Sequence, residues 1–151
     1  MENNCSTGGV YCSMCDEDVC EIIRDPYCIV GSDGLTRSWK EKGHPRASAT
    51  FPHAITYFVK EKGILTLEQA VNKMTGLTAE YLLIKNKGII RDGYDADLVL
   101  FDYDRLQDTA TYINSNSITE GIDCVIVNGA IVYADKQFTG EYSGRMIRHN
   151  A

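Results

Sequence analysis

The stretch Pro26-Tyr27-Cys28-Ile29-Val30-Gly31-Ser32-Asp33-Gly34 decides how the rest of the chain is read. A breaker opens it, an apolar run of Cys28, Ile29 and Val30 follows, and a small, polar and acidic corner ending in glycine stops it. A short apolar run bounded by Pro and Gly predicts a fully buried strand of the kind found in parallel sheets. An acid at the C-terminal end of such a strand lies where α/β barrels keep their chemistry, which makes Asp33 the first candidate for a catalytic group. The competing reading is a turn aspartate that bonds its own backbone.

Outward from that stretch, the chain has 151 residues, enough for one domain of ordinary size with a buried core. Hydrophobic content of 44% and charged content of 24% are those of a globular protein. A net charge of −6 without basic runs argues against nucleic acid or an anionic membrane as partner. No apolar run is long enough to span a bilayer, and the first residues do not read as a signal peptide, so the cytoplasm is the expected compartment. There are 6 cysteines, and Cys12 and Cys15 form one Cys-x-x-Cys. Cys5 and Cys20 are irregularly spaced around them and the histidines His44, His53 and His149 are remote, so free thiols are expected. A cysteine-based metal or redox module built on Cys12 and Cys15 is the weaker alternative.

Taken in order, residues 1–9 read as a flexible N-terminus. Asp16-Glu17-Asp18 predicts a helix with acids in its first turn, and Val19, Ile22 and Ile23 give it an apolar face up to Arg24. Residues 34–52 show no period and predict a long loop. The i, i+4 pairs Ala54/Phe58 and Ile55/Val59 predict a helix from His53 to Lys62, ended by Gly63. Thr66 and Gln69 form a capping box ahead of Leu67, Ala70, Val71 and Met74, and a short helix follows from Thr78. Beyond Lys85 the period turns extended. Leu98–Phe101 predicts a buried strand, and residues 103–121 a loop. Ile122–Val127 and Ala130–Tyr133 flank Asn128-Gly129, which predicts a hairpin with a type I′ turn. Thr139–Ala151 reads as a surface tail.

Several of these motifs together resemble a known family. Gly31-Ser32-Asp33-Gly34, Gly43-His44-Pro45-Arg46, Thr50-Phe51-Pro52, Leu67-Glu68-Gln69-Ala70-Val71 and Lys73-Met74-Thr75-Gly76-Leu77 resemble the C-terminal part of D-aminoacylases. These are N-acyl-D-amino-acid deacylases of the metal-dependent amidohydrolase superfamily. The run from Gly88 to Asp102 is similar to the segment by which many amidohydrolases return from barrel to small β-domain. Glu120–Asp123 and Val125–Gly129 resemble that domain's closing hairpin, and Gly144-Arg145 its tail. The resemblance covers roughly residues 10–148.

What the resemblance implies is a mixed α/β chain: the C-terminal fragment of a (β/α)8 amidohydrolase barrel followed by strands of the small β-sandwich domain. Residues 10–87 would hold the last barrel strand and its helices. Residues 88–151 would hold the β-rich segment and tail. Asp33 would ligate or face zinc and act as general base towards the attacking water. Arg46 would bind the substrate carboxylate through its guanidinium fork, with His44 beside it as a substrate contact or as loop packing. The implied substrate is an N-acyl-D-amino acid.

The departure from the family is the ligand set. The family's His-x-His pair, its bridging Cys or carboxylated Lys and its further histidines have no counterpart at His44, His53 or His149. A zinc site needs three or four protein ligands, so the chain reads as the last third of such an enzyme and is expected to be inactive by itself. The alternative is a non-catalytic oligomerising or interaction module derived from an amidohydrolase. Either way, the exposed barrel edge predicts a homo-oligomer or pairing with the missing N-terminal portion.

Overall fold

The computed structural model describes residues 11, 13–35, 38 and 43–148; the expected flexible N-terminus, Cys5, Cys12 and His149 lie outside the described residues. Its most local rule is obeyed at Thr66. That side chain accepts from the Gln69 backbone N–H at 3.2 Å and Gln69 Oε1 accepts from the Thr66 N–H at 2.8 Å. The reciprocal pair starts a helix at Leu67 because two donors that the first turn leaves unpaired are satisfied at once.

In chain order the helices are α1 (Asp16–Arg24), α2 (Arg46–His53), a π-helical stretch (Ala54–Glu61), α3 (Leu67–Met74) and α4 (Gly76–Tyr81). Helix α1 turns Cys20 and Ile23 inward, while Ile22 from the expected face is 52% exposed. Helix α2 occupies part of the region expected to be loop. Pro45 at its N-cap needs no donor there, and Ser48 N and Ala49 N bond the Pro45 carbonyl at 3.1 and 3.0 Å. Pro52 lies inside it and cannot donate to the preceding turn. The widened helix begins two residues later, a common response to a break in the bonding ladder.

Four strands, β1 (Leu98–Phe101), β2 (Ile122–Val127), β3 (Ala130–Ala134) and β4 (Gln137–Phe138), form an antiparallel meander in the order β1-β2-β3-β4. Asn128 and Gly129 have φ of 48° and 80°, so the expected I′ turn joins β2 to β3. A second turn with positive φ at both residues, Asp135 and Lys136, joins β3 to β4 in the stretch between Tyr133 and Thr139, which the sequence reading assigned to no element. Strand β1 is not the buried strand expected: Val99 is 54% exposed and Leu100 is 50% exposed.

The core packs Ile23 of α1, Ile55 of the π-helical stretch, Leu65, Ala70 of α3 and Leu106 together, with Cys28, Val30, Phe58, Phe101 and Ile122 partly buried against them. The stretch 28–30 therefore lies on the core, but it is not a strand. It pairs with no ladder among the described residues, since parallel strands need neighbours on both sides. Helix α3 holds it instead. Val30 N donates to the Lys73 carbonyl at 3.3 Å, and the buried Lys73 Nζ donates to the carbonyls of Asp25 at 2.5 Å and Cys28 at 3.0 Å. The architecture is mixed helix and sheet, and no described helix is long and apolar enough to cross a membrane.

Candidate active site

Gly34 sets the geometry of the site. A Cβ added there would lie 2.9 Å from Ala47 Cα and 3.3 Å from the Arg46 carbonyl, so only glycine lets the 31–35 turn lie directly on the start of α2. Just before it, Asp33 has a φ of 45°, a left-handed conformation that Asp tolerates better than most residues. Gly34 N donates to Ser32 Oγ at 3.2 Å and closes the turn locally. So part of the turn-aspartate reading is correct: a turn is there. The side chain that bonds its backbone is Ser32, and the Asp33 carboxylate is left to project outward.

That carboxylate meets Arg46. Arg46 Nη2 lies 2.9 Å from Asp33 Oδ2, with the side chains 45% and 84% exposed respectively. His44 is the third member. Its Nδ1 accepts from the Arg46 backbone N–H at 3.1 Å, so the neutral ring carries its proton on Nε2, and its ring meets Tyr112 edge-on at 5.1 Å. The three residues singled out from the sequence are thus brought together, with His44 shaping the start of α2.

The backbone under Arg46 is held from the far side by the 103–121 segment. Ser48 Oγ donates to the Ser115 carbonyl at 2.7 Å, and Gly43 N donates to Ser115 Oγ at 3.0 Å. Ser115 is 3% exposed. Sequence reading passed over Ser115, which sits in an aperiodic polar run with nothing to mark it. It discounted His53 as a ligand and did not foresee its partners: Nδ1 lies 2.8 Å from Asp108 Oδ2 and the ring stacks on Tyr57 at 5.2 Å.

For the zinc that the resemblance implies, the donors fall short. No group of three or more His, Cys, Asp or Glu suited to a metal ion occurs among the described residues. The Asp33 carboxylate faces a guanidinium, and Cys15 is an exposed free thiol. These residues can offer one carboxylate to a site completed by other donors, but they do not make a zinc site.

Comparison with known proteins gives the wider setting. Residues 18–133 match the Amidohydrolase family. The chain is 40% identical over 144 residues to the D-aminoacylase of Alcaligenes xylosoxydans xylosoxydans, covering 95% of this chain and 29% of that protein. It is 39% identical over 140 residues to the N-acyl-D-aspartate deacylase of the same organism, with 93% and 28% covered. A crystal structure of D-aminoacylase superposes with a TM-score of 0.85 at 40% identity, over 90% of this chain and 28% of that one. The N-acyl-D-glutamate deacylase of Bordetella bronchiseptica, solved with zinc and a phosphonate inhibitor, superposes with a TM-score of 0.76 at 37% identity, over 82% and 26%. The chain therefore spans less than a third of the length of these relatives.

Proposed function

Because the chain belongs to the amidohydrolase family, we propose that it is the C-terminal part of a hydrolase acting on the amide of N-acyl-D-amino acids. Residues 10–87 supply the end of a (β/α)8 barrel, and residues 88–151 supply strands of a small β-domain with its tail. The observation that carries this reading is the likeness to D-aminoacylase across 95% of the chain, and the cluster of Asp33, His44 and Arg46 in this chain supports it. Asp33 is the general base and Arg46 the anchor for the substrate carboxylate. A carboxylate and a guanidinium held this close can serve both ends of an N-acyl amino acid, whose carboxylate and scissile amide are separated by one carbon. The zinc of the complete enzyme would need donors from outside this chain, with Asp33 the one carboxylate offered from within it.

The test is complementation. The chain alone, with zinc added, is expected not to hydrolyse N-acetyl-D-amino acids. Co-expressed with the remaining part of an Alcaligenes D-aminoacylase, it should restore turnover. In that complex Asp33→Asn should lower kcat by about 10² or more, the scale of losing a general base. Arg46→Ala should raise KM, and Arg46→Lys should recover only part of the loss because the fork is gone. Zinc-dependent turnover by the chain alone, lost in Asp33→Ala, would overturn the fragment reading. Near-normal kcat in Asp33→Asn would remove the base assignment.

A second reading, a non-catalytic oligomerising module, is favoured by the half-exposed apolar side chains of the sheet, Val99, Leu100 and Ile131. It predicts a stable homo-oligomer that gains no activity from the complementing part.

A further inference from the structure

We propose that Asp33 and the carboxylate of the incoming substrate compete for the Arg46 guanidinium, so that binding of the substrate carboxylate releases Asp33 for its role as base. The inference rests on the functional reading above and adds what the Arg46 fork holds before the substrate arrives.

Three observations carry it. First, an oxygen of the Asp33 carboxylate, Oδ2, is engaged at 2.9 Å by Nη2 of the same guanidinium that would anchor the substrate carboxylate. While that contact lasts, the oxygen is occupied by a donor and turned towards the guanidinium. Second, the backbones on which the two side chains stand are fixed. Gly34 packs on Ala47 and Arg46, His44 bonds the Arg46 N–H, and Ser115 ties down Gly43 and Ser48. The side chains themselves face solvent, at 84% and 45% exposure. An exchange of partners therefore needs only side-chain rotation. Third, the contact is a single exposed ion pair, of a class that contributes little in water. A ligand carboxylate that occupies both prongs of the fork makes the better partner.

The consequence is selective. A ligand with a free carboxylate takes Arg46 and frees Asp33. A ligand whose carboxylate is capped as an amide leaves Asp33 where it is. A free carboxylate thus becomes a condition for the base to act, beyond its contribution to affinity.

The test is calorimetric binding of N-acetyl-D-alanine, and of its carboxamide, to the 151-residue chain at low ionic strength. Removing the internal competitor with Asp33→Asn should tighten N-acetyl-D-alanine about two- to fivefold, the range open to an exposed pair. Asn is suited to the positive φ at this position, and circular dichroism checks that the fold is kept. Arg46→Ala should abolish binding in both backgrounds, and the carboxamide should not respond to Asp33→Asn. If Asp33→Asn binds no tighter while Arg46→Ala still loses binding, the exchange is overturned and the anchor stands. If Arg46→Ala binds as well as the unaltered chain, or if neither the unaltered chain nor Asp33→Asn binds, the anchor fails and the exchange fails with it.

Discussion

Lys73 shows how much one side chain decides here. It is 5% exposed, and its Nζ reaches two carbonyls, those of Asp25 and Cys28. Lys73→Met keeps the length of the side chain and strips the Cys28 carbonyl of its donor beside the core, while the Asp25 carbonyl keeps the Cys28 N–H at 3.1 Å. The expected loss is about 1–3 kcal/mol, the cost of stranding a buried acceptor. It should appear as a lower urea midpoint with an unchanged slope; a shift of less than a tenth of the total stability would mean that water takes the amine's place. Lys73 opens one of the motifs of the resemblance, but its burial was not legible, since a lysine in an amphipathic helix reads as solvated. Asp33 was singled out because it ends an apolar run at a glycine corner, and His44 and Arg46 because the Gly43-His44-Pro45-Arg46 motif carries the family resemblance. Their contacts were not legible, because the 2.9 Å ion pair joins two motifs separated by a long stretch of chain.

Among the elements, the β2–β3 hairpin offers the cleanest test. Gly129 has a φ of 80°, and a Cβ there would meet no atom within 4 Å. Gly129→Ala therefore measures conformational cost alone, about 1 kcal/mol of unfolding free energy. No loss by chemical denaturation would show that the turn readjusts. The same hairpin depends on Asp97. Its Oδ1 accepts from Asn128 N at 2.7 Å, and Lys87 pairs with its other oxygen. Those bonds hold the Asp97 carboxyl below its ordinary value of 3.8, the Lys87 contact contributing most. A group depressed in the folded state adds stability above its unfolded value and loses it as the pH falls through the folded one. The stability gap between the unaltered chain and Asp97→Asn should thus be flat from about pH 5 to 7 and shrink below about pH 4. A gap unchanged down to about pH 2.5 would count against this account. The Thr66–Gln69 box and Asn128-Gly129 were legible because their signals are wholly local. Helix α2 was hidden by Pro45 and Pro52, which read as breakers although one sits at a cap. The β3–β4 turn was hidden because Asp135 and Lys136 carry no glycine to announce a positive φ. The stretch 28–30 was misread because strand formation depends on neighbours that its own residues do not specify.

For the molecule as a whole, the sheet is apolar on both sides. Leu98, Ile126 and Ile131 line up across β1, β2 and β3, and on the other face Val99, Val125, Tyr133 and Phe138 do the same. Val99 remains 54% exposed, Ile131 48% and Phe138 78%. Antiparallel sheets with one wet face alternate with polar residues, whereas sheets covered on both faces do not. Among the described residues, moreover, no large side chain falls below 2% exposure. Apolar surface of this extent marks an interface. The chain at micromolar concentration is expected to form a homo-oligomer by light scattering. A clean monomer at that concentration would contradict it.

The contact between Gly34 and Ala47 has a consequence for how this part of the chain can vary. It ties off the connection between Asp33 and Arg46 at its base, and Gly43 and His44 are pinned close by. Residues inserted after Leu35 and before Gly43 would lengthen a connection whose flanking residues, Gly34 and Ala47, already touch. Doubling such a loop costs only about 0.6 kcal/mol of closure entropy. Natural or engineered insertions can accumulate there and change what borders the Asp33–Arg46 pair, while the register of the acid against the guanidinium stays as it is.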